Sequence, residues 1–92
     1  MKFCSIEAFN FLKKLEVKPY DFVKLLDEHF KCDAYDITLM YFPGEDTCSL
    51  IVDIKYIGEF NKFIELRYSF FDKIMKKFKY SKLYYNISIS RY

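Results

Sequence analysis

Two aspartates could do chemistry together if the chain folds as its hydrophobic pattern predicts. Asp36 and Asp53 lie on the polar side of two alternating segments that a four-residue turn connects. That turn sets Phe42 opposite Thr47, a register that brings Asp36 opposite Asp53. Paired carboxylates can bind a divalent cation or share a proton, so a small metal-dependent enzyme is one hypothesis. Two carboxylates without a third ligand or a base indicate this only weakly, and a register shifted by two residues would pair Asp36 with Lys55 instead.

The histidine and the three cysteines form a second candidate site. His29 and Cys32 have the spacing of two zinc ligands on one helical turn, and Cys4 and Cys48 could complete a site of three thiolates and one imidazole. Because Cys4 and Cys48 have no ligand spacing of their own, packed side chains are the favoured interpretation. The pattern supplies neither an oxyanion hole nor an orienting group for catalysis by Cys32. We therefore predict a protein without catalytic residues, metal or cofactor.

Arg67 is the one charged residue on the apolar face of a long predicted helix. It could contact an anionic ligand, or form a bidentate salt bridge with a buried acid. The structural interpretation is that its aliphatic stem packs on the core while the guanidinium reaches solvent at the rim. We favour the structural interpretation and keep the anion or salt-bridge contact as the alternative.

Lysines are densest near the C-terminal end of the chain, just before Tyr84. A tyrosine among lysines could stack on a base while the lysines contact phosphates, so nucleic-acid binding by the basic C-terminal half is an alternative function. Most of these lysines fall on the predicted solvent side of a helix, which favours an ordinary solvated surface. The lysines are Lys73, Lys76, Lys77, Lys79 and Lys82.

Length, composition and charge limit the classes of protein to which this chain can belong. Ninety-two residues, of which 52% are hydrophobic, predict a single compact domain spanning 1–92. Residues 1–46 hold six lysines against nine acids and residues 47–92 hold nine basic residues against four acids, so the charge is dipolar rather than uniformly basic. Three cysteines without C-x-x-C spacing indicate reduced thiols in the cytoplasm of the producing cell or of a host cell. Neither a signal peptide nor a membrane-length apolar run is visible.

Three amphipathic helices are expected to position these residues. The longest apolar stripe with helical period covers 59–79 and needs a surface to lie on. Two shorter stripes cover 6–16 and 19–31, with Ser5 as the expected N-cap of the first. Their short connection predicts an N-terminal helical hairpin over 1–32.

Three segments of alternating polarity predict strands at 34–42, 47–57 and 82–90. The first two form a hairpin, and a crossover through the long helix leads to a parallel third strand. This connection predicts the sheet order 2-1-3, with the first strand in the centre. The expected class is therefore α+β: the helical hairpin followed by a ββαβ unit over 33–92, whose three-stranded antiparallel or mixed sheet packs on the long helix.

The uncovered face of that sheet is the predicted recognition surface. Its mixture of aromatic, methionine and polar side chains is typical of protein interfaces. We expect a small non-catalytic module that binds another protein, such as an inhibitor, an antitoxin-like protein or a phage-type or mobile-element effector; a homodimer is a further expectation. The predicted contact residues are Met40, Phe42, Ile51, Asp53, Tyr84, Asn86 and Ser88.

Overall fold

The computed structural model of this chain describes residues 1–45, 47–79 and 81–92. Within them the chain forms a four-stranded mixed sheet and three α-helices, which confirms the α+β class. The elements follow the order β-α-α-β-β-α-β, with a short 3-10 helix before the last strand. Their bounds are β1 Lys2–Cys4, α1 Ile6–Lys14, α2 Pro19–Phe30, β2 Tyr35–Phe42, β3 Thr47–Ile54, α3 Phe60–Lys77, the 3-10 helix Leu83–Asn86 and β4 Ile87–Arg91.

The strands lie in the order β1-β2-β3-β4 across the sheet. The hairpin β2-β3 is antiparallel and central, and each outer strand is parallel to its neighbour. The helices α1 and α2 connect β1 to β2, and α3 connects β3 to β4, as parallel pairing requires. The predicted order 2-1-3 is therefore wrong. The strand after the crossover, β4, pairs with β3 and not with the first strand of the hairpin. That first strand, β2, pairs on its other side with β1.

Strand β1 is the element that the sequence pattern does not reveal, because three residues are too few to show a period. It is held by backbone pairing: the N–H of Tyr35 donates to the carbonyl of Met1 at 3.1 Å, and that of Ser5 to the carbonyl of Ile37 at 2.9 Å. The helices α1 and α2 consequently form a crossover between parallel strands. The predicted N-terminal helical hairpin and the three-stranded sheet are both wrong for this reason.

Local chemistry explains where the helices begin and end. Ser5 is the predicted N-cap of α1, and its Oγ accepts a hydrogen bond from the backbone N–H of Ala8 at 3.1 Å. Helix α2 begins at Pro19, whose fixed φ suits a first turn, and ends where Lys31 takes a left-handed conformation at φ 50°. Helix α3 ends at Lys77, two residues before the predicted end at 79. None of the helices in the described ranges combines the length and apolarity needed to cross a membrane.

The last predicted strand, 82–90, is only partly a strand. Its first half is the 3-10 helix Leu83–Asn86, and the extended conformation begins at Ile87. Leu83 is completely buried whereas the side chain of Tyr85 is 78% exposed, so the two do not share one buried face. The alternation of apolar residues across this segment therefore does not reflect a strand at Tyr85. Strand β3 is likewise shorter than predicted and ends at residue 54 instead of 57.

One cluster of apolar side chains fills the space between the helices and one face of the sheet. The rings of Phe22 in α2 and Phe70 in α3 meet edge to face in it, with centroids 6.1 Å apart. The strands contribute alternate residues, as expected when one face of a sheet is buried. The buried members are Ala8, Leu12, Val17, Phe22, Leu26, Phe30, Tyr35, Ile37, Leu50, Val52, Ile54, Phe63, Phe70, Ile74, Leu83 and Ile89.

Candidate binding surface

The opposite face of the sheet, which we call the open face, carries no helix within the described residues. Its side chains come from the positions that alternate with the buried ones in each strand. Met40 and Phe3 are 48% and 46% exposed there, and Asp36 is also exposed. Single exposed apolar side chains are common on protein surfaces, so these two residues indicate an interaction surface only together with their neighbours on the same face.

Cross-strand register places two carboxylates side by side on the open face. Asp36 pairs with Asp53 and Phe42 with Thr47, which confirms the predicted register of the hairpin. The aspartates belong to a row that crosses all four strands. That row is Phe3, Asp36, Asp53 and Ser90.

The two carboxylates differ in their surroundings. The Oγ of Ser90 donates a hydrogen bond to Oδ1 of Asp53. The side chain of Asp36 forms no hydrogen bond with a described residue. Neither Asp36 nor Asp53 forms an ion pair with a described lysine, arginine or histidine. Directly opposed like charges are unfavourable in a sheet. The centre of the open face therefore holds negative charge that the described part of the chain does not compensate.

The next row of the open face is smaller and less polar. It contains Thr38, Ile51 and Ser88 in register. Beyond it, towards the hairpin turn, lie Met40 and the partly exposed ring of Phe42. Apolar side chains thus flank the carboxylates in two directions. Phe3 on β1 lies next to Asp36 in the same row, and Met40 and Phe42 lie further along β2.

Five of the seven predicted contact residues share the open face. Met40, Phe42, Ile51, Asp53 and Ser88 all lie on β2, β3 or β4 with their side chains on that side. The sequence pattern did not include Phe3, which reaches the face only because β1 exists. The only local signal is that Phe3 and Cys4 directly precede the predicted helix cap at Ser5.

Tyr84 and Asn86 are the other two predicted contact residues, and the structure places them elsewhere. Both belong to the 3-10 helix rather than to a strand. The ring of Tyr84 packs edge to face against Phe71 of α3, with centroids 5.7 Å apart. The side-chain amide of Asn86 donates to the backbone carbonyl of Lys82 at 2.7 Å. These contacts turn both residues away from the open face.

Arg67 lies on α3, on the helical side of the molecule. Its Cζ is 5.8 Å from the centroid of the Phe71 ring, a cation–π distance. Its Nε is buried and has no hydrogen-bond partner among the described residues, and the guanidinium forms no ion pair with them. The prediction that the arginine stem packs on the core while the guanidinium reaches solvent stays a prediction. The predicted anion contact stays a prediction.

A groove of about 440 Å³ runs beside Phe71, between α3 and the segment that leads into β4. The sequence pattern does not predict this feature, because it depends on the 3-10 turn of the preceding segment. Most of its lining is aromatic or aliphatic, and one carboxylate borders it. The lining residues are Tyr68, Phe71, Asp72, Met75, Tyr84 and Ile87.

His29 and the three cysteines do not assemble into the four-ligand site that the sequence allowed. Among the described residues no three His, Cys, Asp or Glu side chains are grouped as a metal ion would require. The three cysteines are free and partly buried. Burial raises the pKa of the Cys4 and Cys32 thiols, which lowers the fraction of reactive thiolate.

The imidazole of His29 joins α2 to α3. Its Nε2 lies 2.7 Å from the backbone carbonyl oxygen of Leu66 and 3.0 Å from Oγ of Ser69. Since a carbonyl can only accept, Nε2 carries the proton and donates to Leu66. Burial lowers the pKa of His29 below its ordinary value and outweighs the hydrogen bond to Leu66, which acts in the opposite direction; the nearby Lys73 adds to the lowering. This histidine therefore has a packing contact and a structural hydrogen bond rather than the geometry of a ligand.

The predicted basic stretch lies away from the open face. Lys73, Lys76 and Lys77 are exposed on α3, and Nζ of Lys76 is 3.0 Å from a carboxylate oxygen of Asp72 one turn earlier. Helix α3 packs on the other side of the sheet, so these lysines and the aspartate pair face different directions. A phosphate chain across the open face would meet two carboxylates instead of lysines.

Comparisons with known proteins identify no relative of this chain. No family model matches the chain. No curated protein and no solved structure matches it either. Its function is therefore inferred from the geometry above.

Proposed function

We propose that this chain is a small non-catalytic module that binds another protein through the open face of its sheet. The supporting observation is the uncompensated pair Asp36 and Asp53, set between exposed apolar side chains on a sheet face that carries no helix in the described ranges. Interfaces combine such apolar patches with a few polar groups that fix orientation. The proposed activity is occupation of a partner's surface, as an inhibitor or an antitoxin-like protein would do.

The charge of the open face specifies the chemistry of the partner. Covering two carboxylates without a cation would remove their hydration and leave them uncompensated, which is costly. An arginine or lysine that reaches Asp36 and Asp53 would instead form charge-assisted hydrogen bonds. We therefore propose a partner surface on which a basic side chain projects between apolar ones.

The same charge argues against a homodimer through this face. A two-fold axis passing near the aspartate pair would bring Asp36 and Asp53 against their own copies. Four carboxylates would then be desolvated together, and like-charge juxtaposition of this kind costs several kcal/mol. A different protein is the occupant that the open face favours.

Affinity capture with matched variants tests this proposal. The tagged chain would be produced in its native host as wild type, as the double variant Asp36→Asn/Asp53→Asn, and as the control Glu28→Gln/Glu65→Gln. The control removes the same two negative charges from exposed positions on α2 and α3. Quantitative mass spectrometry would identify proteins recovered with the wild type and the control.

We expect recovery of the partner to fall at least tenfold with the aspartate variant, because truncating one side of a buried charge pair costs about 2 kcal/mol or more, which is roughly thirtyfold in affinity. The control should recover it at the wild-type level. Equal recovery by all three chains, or loss with the control alone, would contradict binding through the open face.

A further inference from the structure

The outer edge of β4 is a second surface with defined chemistry. In the described part of the chain β4 is the last strand of the sheet, so its outward N–H and C=O groups have no neighbouring strand. The strand Ile87–Arg91 contains no proline and no lysine, the residues that most often protect an edge. The opposite edge, β1, is only three residues long. Strand β4 is therefore the better template for an added strand.

The groove described above lies directly beside this edge. Ile87 of β4 forms one side of it, while Tyr68 and Met75 of α3 form the other. Met75 is 46% exposed although it is an apolar residue on a packed helix. A strand added to β4 would direct every second side chain towards the helices, which is the side on which the groove opens. Edge and groove together have the form of a site for an extended peptide.

The charges around the groove select the side chains of that peptide. Asp72 is already paired with Lys76, so the carboxylate in the lining is compensated. Arg67 is not: its guanidinium lies over the Phe71 ring and has no acidic partner among the described residues. The unmatched charge beside the groove is therefore positive, and an acidic group complements it.

We propose that the β4 edge and the α3 groove bind an extended segment of another protein as an additional strand. One bulky apolar side chain of the segment enters the groove, and an acidic side chain two residues away contacts Arg67. Residues two apart in a strand point the same way and lie about 6.6–6.8 Å apart. The Arg67 guanidinium lies over the Phe71 ring, which lines the groove, so a side chain that neighbours the one in the groove can reach it. The site is distinct from the open face and does not depend on the function proposed for it.

Defined peptides test the site. The probes are acetyl-Thr-Thr-Φ-Thr-Glu-Thr-amide peptides in which Φ is Phe, Leu or Tyr. Three altered versions carry Ser for Φ, Lys for Glu, or an N-methyl group on every residue after the first, which blocks pairing with β4 in either chain direction. Binding to the full chain would be followed by backbone NMR titration, which also locates the contact.

We expect at least one of the unaltered peptides to shift the amides of β4 and of Tyr68 to Met75 in a saturable manner. Each alteration should weaken binding at least fivefold, because it removes the groove contact, the acidic group or the strand pairing. Saturable shifts that survive N-methylation, or none with any peptide at millimolar concentration, would overturn the proposal.

Chain variants separate this site from simple loss of folding. Met75→Lys should abolish peptide binding, and its exposed position should keep the melting temperature close to that of the wild type. Arg67→Met should erase the preference for Glu over Lys, while Lys73→Met, which removes a positive charge from the exposed side of α3, should preserve it. Equal loss of preference in both variants would contradict a specific role for Arg67.

Two further outcomes would show that the β4 edge has another occupant or that the peptides bind elsewhere. Light scattering would show whether the free chain forms a dimer. A dimer that buries the β4 amides and is lost in Met75→Lys would overturn the proposal, because a second copy of the chain would then be the occupant. The variant Asp36→Asn/Asp53→Asn should bind the peptides as the wild type does. Loss of peptide binding in that variant would place the contact on the open face and overturn the assignment to β4.

Discussion

At the scale of single residues, His29 carries the clearest consequence for stability. Its Nε2–H donates to the carbonyl of Leu66, and its ring packs between Phe30 and Phe70 with centroids 5.1 and 5.3 Å away. Burial lowers its pKa in the folded chain, with the charge of Lys73 adding to the effect. The unfolded chain therefore binds a proton more readily than the folded one at this position. Protonation favours unfolding.

We expect the free energy of unfolding to fall as the pH drops from 7 through about 6.5, the ordinary histidine pKa, towards 5. Urea denaturation at half-unit pH steps would measure it. His29→Gln, which cannot titrate, should be less stable at pH 7 and should lose most of the pH dependence in this window. A wild-type free energy that is flat or rises between pH 7 and 5 would contradict the described environment of His29.

The aspartate pair makes an opposite prediction. Because Asp36 faces Asp53 without a compensating cation in the described residues, Asp36→Asn should stabilise the chain by about 0.2–1 kcal/mol. Urea denaturation against the exposed control Glu28→Gln would measure the difference. Destabilisation by Asp36→Asn would mean that this carboxylate has a favourable partner after all. A stabilising change at a residue proposed for binding would fit the general trade-off between stability and function.

Residue pairing within the hairpin could be predicted from the sequence because a short turn fixes the register of both strands. The opposition of Asp36 and Asp53 follows from that register alone. Contacts such as those of Tyr84 with Phe71 and of His29 with Leu66 could not be predicted, since they join segments far apart in the chain. Local pattern carries no information about which distant residues meet.

At the scale of elements, the three helices and the central hairpin follow from period and end signals. Strand β1 and the 3-10 helix do not. The first is too short for a period, and the second imitates a strand pattern through Tyr85, whose side chain is exposed. Both errors affect the binding surfaces, because β1 adds Phe3 to the open face and the 3-10 turn removes Tyr84 from it. Short elements fixed by tertiary contacts are the ones that sequence pattern fails to locate.

The junction between β1 and α1 depends on one side chain. Ser5 accepts the N–H of Ala8, and its own N–H donates to Ile37 of β2. Ser5→Ala keeps the backbone bond and removes the cap, so we expect a loss of about 1 kcal/mol in the free energy of unfolding. Ser88→Ala on the open face serves as a control that should change little. A loss below about 0.3 kcal/mol for Ser5→Ala would show that the cap is dispensable.

At the scale of the whole molecule, positive and negative side chains lie on opposite sides of the sheet. The exposed lysines of α3 lie on one side of the sheet, and the carboxylates of β2 and β3 lie on the other. The net charge of +2 therefore conceals a surface that is locally acidic where a partner is proposed to bind. The α+β class could be predicted from the sequence. The strand order could not, because no local signal states which edge β4 will join.

Two methionines allow the central proposal to be tested in one measurement. Met40 lies on the open face at 48% exposure, and Met75 borders the α3 groove at 46% exposure, so both should be open to oxidation in the free chain. Peroxide footprinting with mass spectrometry would compare them in the chain alone and in the chain bound to its captured partner. Binding through the open face predicts that Met40 becomes protected severalfold while Met75 keeps its rate. Protection of Met75 with Met40 unchanged would contradict it.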